Sequence, residues 1–323
     1  MKNIAILSSG TDNSGINAAI RSIVRSASSM KMKIYGVNWG YRGLIDNSIH
    51  CLTSRDVSGK IGKAGCFLGT GRPEGCFVPE NIPKMMETIK KNNIHGLIVI
   101  GGRTSLIHSQ KFVDMGIPVI GIPSTIQDDI VGTDICLGVD SAVNNIVKYV
   151  DKIRSCEFSR DRTFIVQVEG KTCGSLALRS AIACGAEICL VPEQPCDDIS
   201  VIARDLADAS MTGKTQVLTM VSSGWKPGVK ALSDYLVEHM EETDLLVRET
   251  VLGYVQRGGS PTSYDRLLGL RMGFEAVKAI SEKESGKMIG LRNNEFLRVP
   301  FSEFLANDKP MDKALMNLFH LSR

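Results

Sequence analysis

Short apolar runs alternate along this chain with segments whose apolar positions recur every three or four residues. Ile4-Ala5-Ile6-Leu7 predicts a strand ending at a glycine turn, and Ile16, Ala19, Ile20, Ile23, Val24 and Ala27 predict the helix behind it. Further strands are predicted at Ile34–Val37, Gly96–Ile100 and Val119–Ile122. Their β-branched content and glycine-rich ends suit a parallel sheet buried on both faces. A second series follows at Phe164–Val168, Ile188–Pro192 and Val217–Val221. Two α/β sheets side by side account for both series. The acidic stretch from Glu238 to Asp244 and the Lys226-Pro227-Gly228 turn read as surface, and a terminal helix is predicted from Met311.

Composition narrows the field. The 323 residues are enough for two ordinary domains, and 43% hydrophobic content is that of a globular protein. A net charge of +3 gives no general pull toward nucleic acid. No apolar run approaches a membrane span, and the opening apolar stretch is too short for a signal peptide, so a cytoplasmic protein is expected. The nine cysteines include no C-x-x-C pair, and the five histidines fit no metal-ligand spacing. Open α/β sheets bind ligands beyond the carboxyl ends of their strands. Glycine-bearing segments fall there at 8–15, 69–75, 101–105 and 121–129.

Taken together, those segments resemble the bacterial-type, ATP-dependent 6-phosphofructokinase family over nearly the whole chain. Gly10-Thr11-Asp12-Asn13-Ser14-Gly15-Ile16-Asn17-Ala18-Ala19-Ile20-Arg21 resembles G-G-D-x-x-G-x-N-A-x-I-R, and Gly40-Tyr41-Arg42-Gly43-Leu44 resembles G-Y-x-G-L. Gly101-Gly102-Arg103-Thr104-Ser105 falls where the family has G-G-D-G-S, and Pro123–Ile130 falls where it has P-G-T-I-D-N-D-I. Leu252–Pro261 resembles L-G-x-x-Q-R-G-G-x-P. The resemblance implies two Rossmann-like three-layer domains with central, mostly parallel sheets. Residues 1–138 with 256–303 would form the larger, nucleotide-site-like domain, and 139–255 with 304–323 the smaller sugar-phosphate domain. It also implies a symmetric tetramer, or a hetero-oligomer with an active phosphofructokinase.

The departures gather where the family does its chemistry. Gln127 replaces the aspartate that takes the proton from the attacking sugar hydroxyl, and an amide has no basic form near neutral pH. Asp129 and Thr125 remain, and Asp128 is new; an offset of one strand position would point Asp128 away from the slot of the base. Arg103 replaces a magnesium-holding aspartate, and a cation cannot ligate a cation. A salt bridge from Arg103 to Asp12 or Asp129 is expected. Thr104 and Thr11 replace glycines lining the nucleotide site with Gly10, Gly102 and Ser105, and His108 replaces a glycine near the adenine pocket.

The phosphate-binding arginines implied by the resemblance are present. Arg162 and Arg248 match the pair that grips the 6-phosphate, Arg257 a further sugar-phosphate contact, and Arg72 the residue bridging both substrates. Glu169 and Tyr254 replace a methionine and a histidine of the sugar site, and Ser222 or Ser223 falls at a sugar-binding glutamate. Arg21, Arg25, Arg154, Glu187 and Lys214 match an effector site for phosphorylated ligands. The sequence therefore reads as a catalytically deficient relative that binds fructose 6-phosphate or a similar phosphosugar, or a phosphorylated effector, as a regulatory subunit or sensor. An active ATP-dependent enzyme, requiring ATP and magnesium at a rearranged site, is the alternative; a structural subunit without ligand is a third.

Overall fold

A computed structural model describes residues 2–155, 162–196, 198–211, 216–239 and 246–322. The chain divides into two units, one of Met1–Ile126, Ile130–Ser141 and Arg257–Lys309, the other of Gln127–Asp129, Ala142–Gln256 and Pro310–Arg323. This differs from the expected division in four places, of which two are small shifts at the crossovers: 139–141 fall in the first unit and Gln256 in the second. Gln127–Asp129 goes with the second unit because Asp128 is bonded there, and residues 304–309 stay with the first, where Arg103 holds them.

In the first unit, β1 (Asn3–Ser9), α1 (Ile16–Ser29), β2 (Lys33–Val37), α2 (Tyr41–Ile45), β3 (Ile49–Leu52), α3 (Ile82–Lys91), β4 (Gly96–Gly101), α4 (Arg103–Asp114) and β5 (Val119–Pro123) follow in order. The helix α5 (Val139–Ser155) leaves this unit for the second. The second unit continues with β6 (Arg162–Val168), α6 (Ser175–Cys184), β7 (Ile188–Leu190), α7 (Ile199–Met211), β8 (Gln216–Ser222), α8 (Val229–Glu238) and β9 (Leu246–Val251), then a 3₁₀ turn at Gly253–Gln256. The chain returns to the first unit for α9 (Ser263–Ser281), β10 (Lys287–Arg292), β11 (Glu295–Pro300) and α10 (Phe301–Ala306), and ends on α11 (Lys313–Ser322) in the second.

The first sheet runs β11-β10-β5-β4-β1-β2-β3, parallel except at β3 and β11 on its two edges. Strand order reverses between β1 and β4, which makes the carboxyl edge there a natural ligand crevice. The core layer between this sheet and its helices is aliphatic, with Ile4, Ile6, Ile20, Ile23, Ile98 and Ile120 all buried. α1 and α9 meet at backbone distance: a Cβ added to Gly273 would come within 2.6 Å of the Ala19 carbonyl. The second sheet, β7-β8-β6-β9, is parallel throughout, with its own core of Ile165, Leu206, Val217, Trp225 and Leu232.

All seven expected strands are present, and four others were not anticipated. β9, with Arg248, Glu249 and Thr250, is an exposed edge strand whose polarity hides it. β10 and β11 form a hairpin at Asn293-Asn294, both with positive φ as a tight primed turn requires. β3 is a short antiparallel edge. Among the described residues no helix is long and apolar enough to cross a membrane. The acidic stretch anticipated as surface lies mostly outside the described residues.

One buried carboxylate ties the return segment to the first unit. Asp265, in the first turn of α9, accepts from the Gly138 N–H and Ser141 N–H, both at 2.8 Å, and from the Ser141 hydroxyl at 2.6 Å. Burial holds this carboxyl above the ordinary carboxylate range, and the hydrogen bonds from Ser141 and Gly138 pull it only part of the way back. Asp265→Asn would set an amide N–H against those donors. A loss of about 1–3 kcal/mol is expected in thermal denaturation; an unchanged melting temperature would show that the start of α5 is held by other contacts.

Candidate functional site

In the first unit, the carboxyl ends of β1, β4 and β5 lie in register, Ser9 beside Gly101 and Gly101 beside Pro123. The loop after β1 is clasped to the 69–75 segment, with Gly10 N–H donating to the Gly71 carbonyl at 2.9 Å and the Ser9 hydroxyl to the same atom at 3.1 Å. Ser105 is buried, and its hydroxyl donates to the Ser9 hydroxyl at 3.1 Å. Gly10 is left-handed at φ +99°, a conformation that suits glycine there. Gly10, Gly102 and Ser105 thus converge on one crevice, with Thr11 and Thr104 exposed at its rim. Thr125 is half-buried, and Gly102 packs near its Cβ. Arg72 is exposed on the 69–75 segment, and Arg257 is half-buried where the chain re-enters this unit.

Arg103 opens α4, where a helix N-terminus would ordinarily favour an anion. Its guanidinium leaves that position. Nη1 pairs with Asp308 at 2.6 Å, and Nη2 donates to the carbonyls of Phe304 at 3.4 Å and Asn307 at 3.3 Å. The expected bridge to Asp12 or Asp129 is therefore replaced by one to Asp308. The physical reason is local: the carbonyls at the end of α10 carry partial negative charge and Asp308 adds a full one. Asp308 escaped the sequence reading because nothing in Asn307-Asp308-Lys309-Pro310 marks it as a partner of residue 103.

Behind α4 lies an aromatic cluster. The His108 ring sits 4.7 Å from Phe77, and Phe77 packs at 4.8 Å on Tyr41 and at 5.8 Å on Phe112. His108 Nδ1 lies 2.8 Å from the Thr104 carbonyl. Tyr41 is fully buried and donates to the Ser105 carbonyl at 2.8 Å; burial pushes its phenol far above the ordinary range. Tyr41, Phe77, Phe112 and His108 thus form one ring cluster against α4.

In the second unit, Gln127-Asp128-Asp129 lies beyond a turn at 126–127 and outside any strand, so side-chain alternation along a strand does not govern it. Asp128 is left-handed at φ +56° and wholly buried. Its carboxylate accepts from the Ser175 hydroxyl at 2.8 Å and lies 3.7 Å from Nε of Arg179, one turn further along α6. The first carbonyl-rich loop of this unit is clipped in place too: Glu169 N–H donates to the Gln256 side chain at 3.0 Å, and the Ser222 hydroxyl to the Gly170 carbonyl at 2.6 Å. Gln127 Oε1 accepts from the Lys171 N–H at 3.2 Å. Asp129 is half-buried beside it in sequence. Ser175 and Arg179 were missed by the sequence reading, although their i, i+4 spacing at a helix start is a usable signal.

Arg162 and Arg248 stand on adjacent parallel strands, Arg162 opposite Leu246 and Arg248 opposite Phe164. Arg248 is exposed on the edge strand, Tyr254 is 80% exposed, and Ser223 is exposed while Ser222 is buried. Of the effector set, Arg21 donates to the Val57 carbonyl at 3.0 Å and Arg25 is exposed on α1. Arg154 donates to the Cys184 carbonyl at 3.0 Å, on the turn that carries Glu187, whose carboxylate accepts from the Leu218 N–H at 2.7 Å. Lys214 lies outside the described residues.

The phosphofructokinase family model matches residues 3–280. The chain belongs to the phosphofructokinase family. It is 40% identical to an ATP-dependent 6-phosphofructokinase of Thermotoga neapolitana, covering 99% of each chain. It is 37% identical to one of Oceanobacillus iheyensis, covering 98% of each. Among solved structures, Pichia pastoris phosphofructokinase in the T-state superposes with a TM-score of 0.87 at 29% identity, over 94% of this chain. This chain spans 35% of that larger one. A pyrophosphate-dependent phosphofructokinase of Nitrosospira multiformis, 20% identical, shares the fold with a TM-score of 0.83, over 97% of this chain and 86% of that one.

Magnesium and ATP are the groups this family membership brings into question. Mg2+ beside a nucleotide is held through one or two carboxylates together with the phosphates, and a guanidinium has no lone pair to offer it. Arg103, a cation, opens α4, and His108 fills space beside it. This donor set does not fit a magnesium-nucleotide held at α4.

The turn at 127–129 is expected to depend on Asp128. Asp128→Ala should lower stability by about 1–3 kcal/mol, less than a fully buried ion pair because Arg179 keeps some solvent contact. The reading is a lower urea midpoint at constant m-value; an unmoved midpoint would show that Ser175 and Arg179 do not anchor the turn.

Proposed function

We propose that this phosphofructokinase-family protein is deficient in phosphoryl transfer and holds a phosphosugar, fructose 6-phosphate or similar, or a phosphorylated effector, as a regulatory subunit or sensor. The observation that carries this reading is Gln127. Its carboxamide oxygen accepts a backbone hydrogen bond from Lys171, which a carboxylate could also do, but the amide cannot then take up a proton. Loss of a general base alone costs roughly 100- to 10,000-fold in rate. Arg103 adds to the deficit, since phosphoryl transfer rests on positioning and charge stabilisation at the phosphates.

Binding is a separate matter from turnover. Arg248, Arg257 and Arg72 supply guanidinium groups suited to phosphate, and they remain in the chain beside Arg162. Arg21 and Arg25 in one unit, and Arg154 with Glu187 in the other, are the groups assigned to an effector. In an assembly with an active relative, Arg162 and Arg248 would complete the partner's sugar site.

The second reading is an active ATP-dependent 6-phosphofructokinase, favoured by the names of relatives near 40% identity over the full chain. One experiment separates the two. Purified wild type, with ATP and magnesium, is expected to give no fructose bisphosphate above background, while Gln127→Asp combined with Arg103→Asp gains at least about 100-fold. Turnover by wild type at an ordinary enzymatic rate, abolished by Asp129→Ala, would establish the second reading instead. Independently, fructose 6-phosphate is expected to raise the melting temperature of wild type and not of Arg248→Ala; equal shifts in both would remove Arg248 from the sugar site.

A further inference from the structure

A cleft of about 410 Å3 in the first unit is lined by Asp12, Trp39, Cys66, Phe67, Gly69 and Thr70 among others, and the reading above gives it no role. Trp39 is 62% exposed, so its indole adds little to the core. Its backbone is nevertheless held at φ +60°, a left-handed conformation that bulky side chains rarely adopt. The Trp39 N–H donates to the Leu68 carbonyl at 3.0 Å, which fixes that conformation. The ring lies against Gly69, where an added Cβ would come within 2.5 Å of the indole. Strained backbone of this kind clusters at ligand clamps and active sites.

Charge decides what would bind. Asp12 is the charged residue of the lining; Lys60 Nζ lies over the ring of Phe67 at 5.4 Å, and among the described residues no side chain forms an ion pair with Asp12. Burial, with the nearby Asp12 charge adding, pushes the Cys66 thiol up to about 11, so that group stays neutral. A phosphate in the cleft would meet an uncompensated carboxylate; a cation would meet a carboxylate and the π-face of an indole. We propose that this cleft binds a small organic cation with a flat body, of the amidinium or protonated aromatic amine class. The ring face rests on Trp39, and the charged N–H groups donate to the Asp12 carboxylate.

Three probes of one shape test this: benzamidine as the cation, benzamide as its neutral counterpart and benzoate as the anion. The chain has two tryptophans, and Trp225 is 1% exposed, so quenching of fluorescence by a small ligand reports on Trp39. Benzamidine is expected to quench saturably, with benzamide at least about tenfold weaker and benzoate without effect. Asp12→Asn should bring benzamidine down to the level of benzamide while leaving benzamide unchanged, and calorimetry on Trp39→Ala should show binding lost. If Trp39→Ala does not fold, Asp12→Asn, an isosteric change at an exposed side chain, carries the test alone. Equal binding of benzamidine and benzamide, no effect of Asp12→Asn, or no saturation by about 10 mM benzamidine would overturn the proposal.

Discussion

Three parallel strands ending at one edge set the terms for the whole first unit. β1, β4 and β5 stop in register at Ser9, Gly101 and Pro123. The loops that follow have no freedom to stand apart. Gly101 is so close to β1 that an added Cβ would come within 2.5 Å of the Ser9 carbonyl. Tight backbone packing of this kind delivers the start of α4 and the loop after β1 to the same crevice, whatever side chains they carry. The backbone frame of the crevice is therefore set by strand packing rather than by the side chains at its rim.

The second unit solves a different problem, that of holding an irregular turn still. Asp128 does so with a buried carboxylate bonded to Ser175 and placed against Arg179. An unpaired carboxylate would be costly there, and these partners remove most of that cost. The turn in turn presents Gln127 to the Lys171 N–H. The Gln127 amide accepts a hydrogen bond here and cannot take up a proton. Hydrogen-bond acceptance and proton acceptance are separate capacities at this functional group.

A positive side chain at a helix N-terminus opposes the field of the helix, and the Arg103 guanidinium turns instead to Asp308 and the carbonyls at the end of α10. The position is occupied by a residue whose charge is spent on internal contacts. Next to it, the His108–Phe77–Tyr41 stack fills space with rings. Both features place internal contacts of the first unit around the start of α4.

Much of this was legible in the residues themselves. Buried parallel strands are apolar on both faces, so β1, β4, β5, β6 and β8 announce themselves as β-branched runs, and the motifs at their ends disclose the family. An amide at 127 and a guanidinium at 103 have their acid–base character whatever surrounds them. Edge strands such as β9 and β3 face solvent, carry mixed side chains and leave no such trace. The pairing of Arg103 with Asp308 and of Asp128 with Ser175 is hidden as well, because the partners are distant in the chain and become neighbours only on folding, even where a helix start at Ser175 could be read locally. The left-handed backbone of Trp39 and the cleft beside it belong to the same class: they arise from a hydrogen bond to Leu68 and from contact with Gly69, and such long-range geometry exists only once the chain has closed on itself.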